Sequence, residues 1–102
     1  MRTFAEILRK EREEQGFYLR QVAAALEIDQ AIISKFEKGD RKPSKEQVLK
    51  LADFFGIDKD ELITLWLSDK ILYTIQGEKN AENALKVAEQ QIKYKSRKDD
   101  WE

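Results

Sequence analysis

The sequence predicts an all-α protein of five short helices followed by a helical extension. Leu, Ala, Lys and Glu are abundant, and the 102 residues contain only one Pro and four Gly, a composition that favours helices. Helix-start signals recur along the chain, and Gly16, Gly39 and Gly56 fall where helices are expected to end. No segment carries the pattern of a β-strand.

Four N-cap signals place the helix starts, because each offers a short polar side chain to the unpaired N–H groups of a first turn. These signals are Thr3 with Glu6, Asp29, Ser44 with Gln47, and Asp58 with Glu61. Ile28 and Ile33 flank the second of them at the positions of a hydrophobic staple. The predicted helices are 4–15, 19–26, 30–38, 45–55 and 59–75.

A sixth helix is predicted after Gly77. The segment Asn80–Tyr94 repeats apolar residues at spacings of three or four, which places them on one stripe of a helix. The stripe consists of Ala81, Leu85, Ala88 and Ile92. The last residues of the chain are polar and are expected to fray.

The composition argues against several classes of protein. No apolar run approaches the roughly 18 residues that span a membrane, and the N-terminus lacks a signal-peptide pattern. The chain has no Cys, which excludes a disulfide framework and a thiolate zinc site. It also has no His, no Gly-rich phosphate loop and no credible metal cluster, so an enzyme, a cofactor and a metal site are not expected. A soluble, cytoplasmic protein is expected.

The charge is nearly balanced overall but uneven along the chain. The net charge is −1, which argues against a protein that is basic all over. Between Lys35 and Lys50, however, six Lys or Arg residues stand against three acidic residues. Such a local excess is typical of an edge that faces DNA, although an ordinary solvated surface explains the charge alone about equally well.

The segment 16–44 is the most informative part of the chain. Its apolar residues form one buried face on each of two short helices, which a tight turn separates after Leu26. Those residues are Leu19, Val22, Ala23, Leu26, Ile28, Ile33 and Phe36. The small Ala23 allows the two helices to cross closely, as a helix-turn-helix requires. A basic loop closed by Pro43-Ser44 follows.

This segment resembles the helix-turn-helix of the Xre/Cro-like, or lambda-repressor-like, family of transcriptional regulators. The similarity extends from about Thr3 to Leu65. The resemblance implies a five-helix lambda-repressor-like DNA-binding domain over residues 1–65. Residues 66–95 are then a C-terminal helical extension, and residues 96–102 are a polar tail.

The resemblance implies that the second helix of the motif lies in the major groove and that its first turns read bases. The exposed positions carried over from the family are Gln30, Ala31, Ser34 and Lys35. Gln30 can pair with adenine, Lys35 can donate to guanine, and Ala31 can contact a thymine methyl group. Ile32 stands where the family usually has Ser or Thr, so it either reaches a methyl group or packs within the protein. On chemistry alone, Gln30 and Lys35 also fit an ordinary solvated face.

Phosphate contacts are implied at the start of the second helix and around the loop after the third. The candidates are Arg20, Gln21, Lys38, Arg41, Lys42 and Lys45. Backbone N–H groups at the start of the second helix can also face a phosphate. The fixed turn at Pro43-Ser44 is expected to hold the basic side chains on one edge.

Similar proteins pair an arginine of the first helix with a glutamate of the third, and Arg12 and Glu37 match those positions. The resemblance implies a partly buried bidentate ion pair that fixes the angle of the recognition helix. Three residues depart from the family pattern. Tyr18 replaces a capping Ser or Thr, Glu27 replaces a turn glycine and is expected to have a positive φ, and Asp29 brings a negative charge near phosphates.

The C-terminal third has more apolar surface than a five-helix domain needs. The candidate dimer-interface residues are Trp66, Ile71, Leu72, Leu85, Ala88 and Ile92. Either helix six folds back over helix five, or helices five and six form a symmetric dimer. The resemblance favours a homodimer, because repressors of this type bind two half-sites about 34–36 Å apart.

The predicted function is a sequence-specific, double-stranded DNA-binding transcriptional regulator that acts as a dimeric repressor on a palindromic operator. One version of this hypothesis is a controller of a neighbouring operon such as a restriction–modification system. The alternative is an interaction protein, such as an antitoxin, whose C-terminal helices bind another protein.

Overall fold

The computed structural model describes residues 3–99, and over that range the chain forms six α-helices and no strand. They are α1 (Phe4–Glu14), α2 (Leu19–Leu26), α3 (Gln30–Lys38), α4 (Lys45–Phe55), α5 (Lys59–Ile75) and α6 (Ala81–Asp99). The predicted all-α fold is confirmed, and α2 to α5 have the predicted bounds. Helix α1 ends one residue early, because Gln15 is its C-cap.

Helix α6 is longer than predicted. It continues through Asp99, into the segment that was expected to be a frayed polar tail. That segment contains Lys and Arg but neither Gly nor Pro, so nothing in it stops a helix, and cations near a helix C-terminus interact favourably with the helix dipole. The end of the predicted tail, residues 100–102, lies outside the described residues.

The capping signals are satisfied to different degrees. Ser44 and Gln47 form the complete capping box: the Ser44 hydroxyl accepts from the Gln47 N–H at 3.2 Å, and the Gln47 side chain accepts from the Ser44 N–H at 2.9 Å. The Thr3 hydroxyl accepts from the Glu6 N–H at 3.2 Å. Asp58 instead accepts the N–H two residues ahead at 3.3 Å, as an Asx turn does, and not the N–H of the predicted third position.

Residues up to Lys70 form one compact unit with a single apolar core. The buried residues come from all five helices: Phe4, Leu8, Val22, Ala23, Leu26, Ile33, Phe36, Val48, Leu51, Ala52, Phe55, Leu62 and Trp66. Ala23 is buried in this core, and α2 packs against α3. Trp66 belongs to this core, and the unit therefore reaches past the predicted boundary at residue 65.

The chain from Ile71 onward forms a second unit, which contains the end of α5 and helix α6. The large apolar side chains of this unit are between 46% and 72% exposed: Ile71, Leu72, Tyr73, Leu85, Val87, Ile92 and Tyr94. Within this unit these side chains are open to solvent. An apolar surface remains open on this unit.

Glu27 has the left-handed backbone conformation that the turn was expected to require, with φ +55° and ψ +41°. Among the described residues it is the only non-glycine with positive φ. Glycine reaches this region at little steric cost, whereas other L-residues are strained there.

Glu27→Gly is therefore expected to leave stability unchanged or to raise the free energy of unfolding by up to about 1 kcal/mol, because strain relief and the chain entropy of glycine nearly offset each other. Gly39→Ala is the matched control. Gly39 has φ +77° and open space on the side where a methyl group would stand, so alanine there adds backbone strain without a clash. In urea unfolding, Gly39→Ala should lower the free energy of unfolding, whereas Glu27→Gly should leave it unchanged or raise it. A clear loss of stability in Glu27→Gly would contradict the argument.

Candidate nucleic-acid interface

The turn between α2 and α3 is held by local hydrogen bonds. After α2 ends, the Ile28 N–H donates to the Ala23 carbonyl at 3.1 Å, which closes the C-terminus of α2 around the left-handed Glu27. The Asp29 carboxylate then accepts the Ala31 N–H at 2.7 Å and starts α3. The expected Asp29 cap is thus present, and the three residues of the turn set the direction of α3.

Helix α3 has a buried side and an exposed side. Ile33 and Phe36 lie in the core, whereas the predicted base-reading side is open: Gln30, Ala31 and Lys35 are exposed and Ser34 is half-buried. The spacing of four residues within this set places its members on one face of the helix. Ile32 is half-buried and packs against the core. The exposed face therefore offers few hydrogen-bonding groups.

Arg12 and Glu37 form a bidentate ion pair between α1 and α3. The Arg12 Nε donates to Glu37 Oε2 at 2.6 Å, and Nη2 donates to Oε1 at 3.0 Å. Nη1 donates to the Phe17 carbonyl at 2.9 Å, so the guanidinium also holds the loop before α2. The two side chains are only 15% and 6% exposed. Hydrogen bonding to Glu37 raises the pKa of Arg12, against the effect of desolvation.

The predicted phosphate contacts are all exposed: Arg20, Gln21, Lys38, Arg41, Lys42 and Lys45. The acidic residues between them are partly neutralised. Glu37 is buried against Arg12, and Glu46 lies 3.9 Å from Lys50 on the same helix. Asp40 is the remaining carboxylate in this stretch, so the edge from α3 into the following loop is more basic than the sequence count indicates.

The start of α2 is stabilised without a Tyr18 cap. The Tyr18 side chain makes no capping hydrogen bond, as its replacement of Ser or Thr led us to expect. Instead, the Gln21 side chain accepts from the Tyr18 N–H at 2.8 Å. The guanidinium of Arg20 lies 4.7 Å from the centre of the Tyr18 ring, a cation–π contact that holds this cation beside the helix start.

The basic loop after α3 is fastened to α5, a feature that the sequence interpretation missed. The Trp66 Nε1 donates to the Pro43 carbonyl at 2.8 Å, and the Lys42 Nζ donates to the Asp69 carbonyl at 3.2 Å. The Lys70 Nζ lies 3.6 Å from the centre of the Trp66 ring. Trp66 is 7% exposed, so it is a core residue and not part of an exposed dimer surface. The apolar pair Leu62 and Trp66, four residues apart on α5, was the signal that could have placed it in the core.

Among the described residues, no group of three or more acidic side chains is arranged to hold a metal ion. No helix within residues 3–99 is long and apolar enough to cross a membrane.

Comparison with known proteins matches this sequence to a helix-turn-helix family. A family model described as Helix-turn-helix matches residues 8–62. HTH-type transcriptional regulatory proteins from strains of Saccharolobus islandicus are 38% identical over 73 residues, which is 72% of this chain and 21% of theirs. The HTH-type transcriptional regulator DdrOP3 of Deinococcus deserti is 36% identical over 58 residues, 57% of this chain and 45% of that protein. This chain thus spans about a fifth of the length of the Saccharolobus relatives. No solved structure gives a significant match.

Proposed function

The chain belongs to the Xre/lambda-repressor-like helix-turn-helix family, and we propose that it is a dimeric, sequence-specific repressor that reads the major groove with α3. Membership of this family supports DNA binding and transcription regulation. Repression, dimerisation and a palindromic operator go beyond family membership and are our proposal. We also propose that repression acts by occluding a promoter.

One arrangement carries this proposal: α3 presents an exposed face beside a basic edge while its other face is fixed in the core. The Arg12–Glu37 pair ties α3 to α1, and the bond from Trp66 ties the loop after α3 to α5. A helix held in this way keeps its orientation as it meets a groove, so little binding energy is spent on ordering it. The basic edge supplies the phosphate contacts that fix its register.

Sequence-specific readout by α3 can be tested at Gln30 and Lys35. Replacing either by Ala is expected to weaken binding to the preferred site by about 1–3 kcal/mol and to relax preference at one base pair, because each loses a base-edge hydrogen bond. Gln90→Ala on α6 is the control, since it removes an exposed glutamine far along the chain from the motif. Equal affinity of the α3 variants and wild type for the selected site would contradict this role.

The role of the basic edge predicts a change in salt dependence. Lys38→Ala and Arg41→Ala should each make the slope of log binding constant against log salt shallower by about one per protomer, hence by about two for the dimer, because each protomer of the variant releases one fewer counterion. The loss of binding affinity should be similar on specific and unrelated DNA. Lys79→Ala, another exposed cation, is the control and should leave the slope unchanged. An unchanged slope in both edge variants would show that these two side chains do not contact phosphates.

The function as a whole is tested by selecting sites from random duplex oligonucleotides with the purified protein. We expect a palindrome whose half-sites lie one helical turn apart, because a two-fold dimer presents two α3 helices about 34–36 Å apart. Binding should weaken steeply between two salt concentrations. A folded protein that enriches no site would overturn the proposal.

The open apolar surface of the second unit favours one alternative, in which the C-terminal helices bind a different protein, as in an antitoxin. Neighbouring genes distinguish the two functions. An adjacent small toxin gene would favour this alternative, and an adjacent methyltransferase gene would favour an operon regulator.

The homodimer itself is tested by sedimentation. A monomer at micromolar concentration would contradict it.

A further inference from the structure

Helix α6 is long and solvent-exposed. It spans 19 residues, and residues 82–96 are all exposed. Leu85 is 46% exposed and Ile92 is 70% exposed, although both lie on the apolar stripe of the helix with Ala88 between them. In proteins, most of the stability of a helix comes from the packing of its apolar face and not from intrinsic propensity. The exposed stripe of α6 is therefore a candidate contact surface.

The charges of α6 are divided along its length. The half that begins at Ala81 carries Glu82 and Glu89 with a single Lys86, whereas residues 91–99 carry four Lys or Arg and one acid, Asp99. Glu89 and Lys93 already pair within the helix at 2.9 Å. Glu82 and Lys95 are exposed at opposite ends of the stripe. The N-terminal half is thus slightly acidic and the C-terminal half strongly basic.

From this charge division we propose that two copies of α6 pair antiparallel, with Ala88 near the two-fold axis. This proposal rests on the homodimer proposed above and specifies its geometry. Antiparallel pairing places the acidic half of each helix against the basic half of the other, whereas parallel pairing places the two basic halves together. The stripe suits this orientation, since Leu85 of one copy lies opposite Ile92 of the other and the small Ala88 residues meet at the centre.

Antiparallel pairing also separates the two chains as they enter α6. With Leu85 opposite Ile92, the two Ala81 residues lie about 22 Å apart along the pair, at a rise of about 1.5 Å per residue. A parallel pair brings both chains to the same end. Two half-sites on one face of DNA lie about 34–36 Å apart, so entry from opposite ends suits a dimer that must reach both.

Orientation can be measured by cross-linking, because the chain has no native Cys. Ala81→Cys and Ser96→Cys are mild replacements at opposite ends of α6. One of the two variant proteins carries a size tag. A short bis-maleimide should join the two variants when they are mixed, whereas each variant alone should give little cross-linked product. If each variant were cross-linked to a second copy of itself but not to the other variant, the pair would be parallel and the proposal would be overturned. Dimers without any of these links would also overturn it.

A second measurement tests the stripe itself. Ile92→Asp is expected to raise the dimer dissociation constant at least tenfold by sedimentation. Val87→Asp should leave it nearly unchanged, because Val87 is 51% exposed on the opposite side of α6. If both variants changed the dissociation constant equally, the stripe would not be the dimer interface. Dimers cross-linked as expected but without site selection on DNA would refute the proposed function alone, and a monomer that selects a site would refute only the dimer and its geometry.

Discussion

Glu37→Ala is expected to lower the free energy of unfolding by about 3–5 kcal/mol, because it leaves the guanidinium of Arg12 buried without its carboxylate partner. The pair is nearly enclosed, so water does not replace the lost hydrogen bonds at 2.6 and 3.0 Å. DNA affinity should fall as well. Without this tie, α3 is no longer held at its angle to α1, and the base-reading face loses its fixed orientation.

Urea unfolding and DNA binding on the same preparation measure both effects. Glu13→Ala is the matched control, because the Arg9–Glu13 pair has the same kind of bond at 2.9 Å but its side chains are 65% and 54% exposed. Such a surface pair contributes little, so the control should unfold and bind like wild type. A Glu37→Ala protein with wild-type stability would show that the pair does not hold α3.

The helix positions could be predicted from the sequence because their signals are local. Ser44 and Gln47 cap α4 from within four residues, and the glycine at residue 39 ends α3 in a conformation that other residues resist. The positive φ of Glu27 was indicated by the family resemblance, because Glu27 stands at the position of a turn glycine. The Arg12–Glu37 pair joins residues 25 positions apart, and only the resemblance to a family indicated it.

The placement of Trp66 was missed because its partners are distant in sequence. Its spacing of four residues from Leu62 places both on one face of α5, but it does not identify the segment that covers Trp66. The decisive contact, from the indole to the Pro43 carbonyl, joins residues 23 positions apart. The end of α6 was missed for a different reason. Polar composition was taken as a sign of fraying, although Lys and Arg are good helix formers and suit a helix C-terminus.

The core position of Trp66 predicts a second large effect. Trp66→Ala is expected to lower the free energy of unfolding by about 3–5 kcal/mol, because it empties a large site in the core of the first unit. Leu67→Ala, at the next residue of α5 but 47% exposed, is the control and should have a much smaller effect. Wild-type stability of Trp66→Ala would contradict the burial of this residue.

Trp66→Phe separates packing from positioning. Phenylalanine keeps most of the ring's apolar surface but removes the indole N–H, so the Pro43 carbonyl loses its donor at a cost of about 1–3 kcal/mol. The loop that carries Arg41 and Lys45 is then less firmly fastened to α5. We therefore expect weaker DNA binding at a temperature where the variant remains fully folded, measured by titration beside a circular-dichroism melt. Wild-type DNA affinity in folded Trp66→Phe would mean that the indole bond stabilises the core without positioning the phosphate-binding edge.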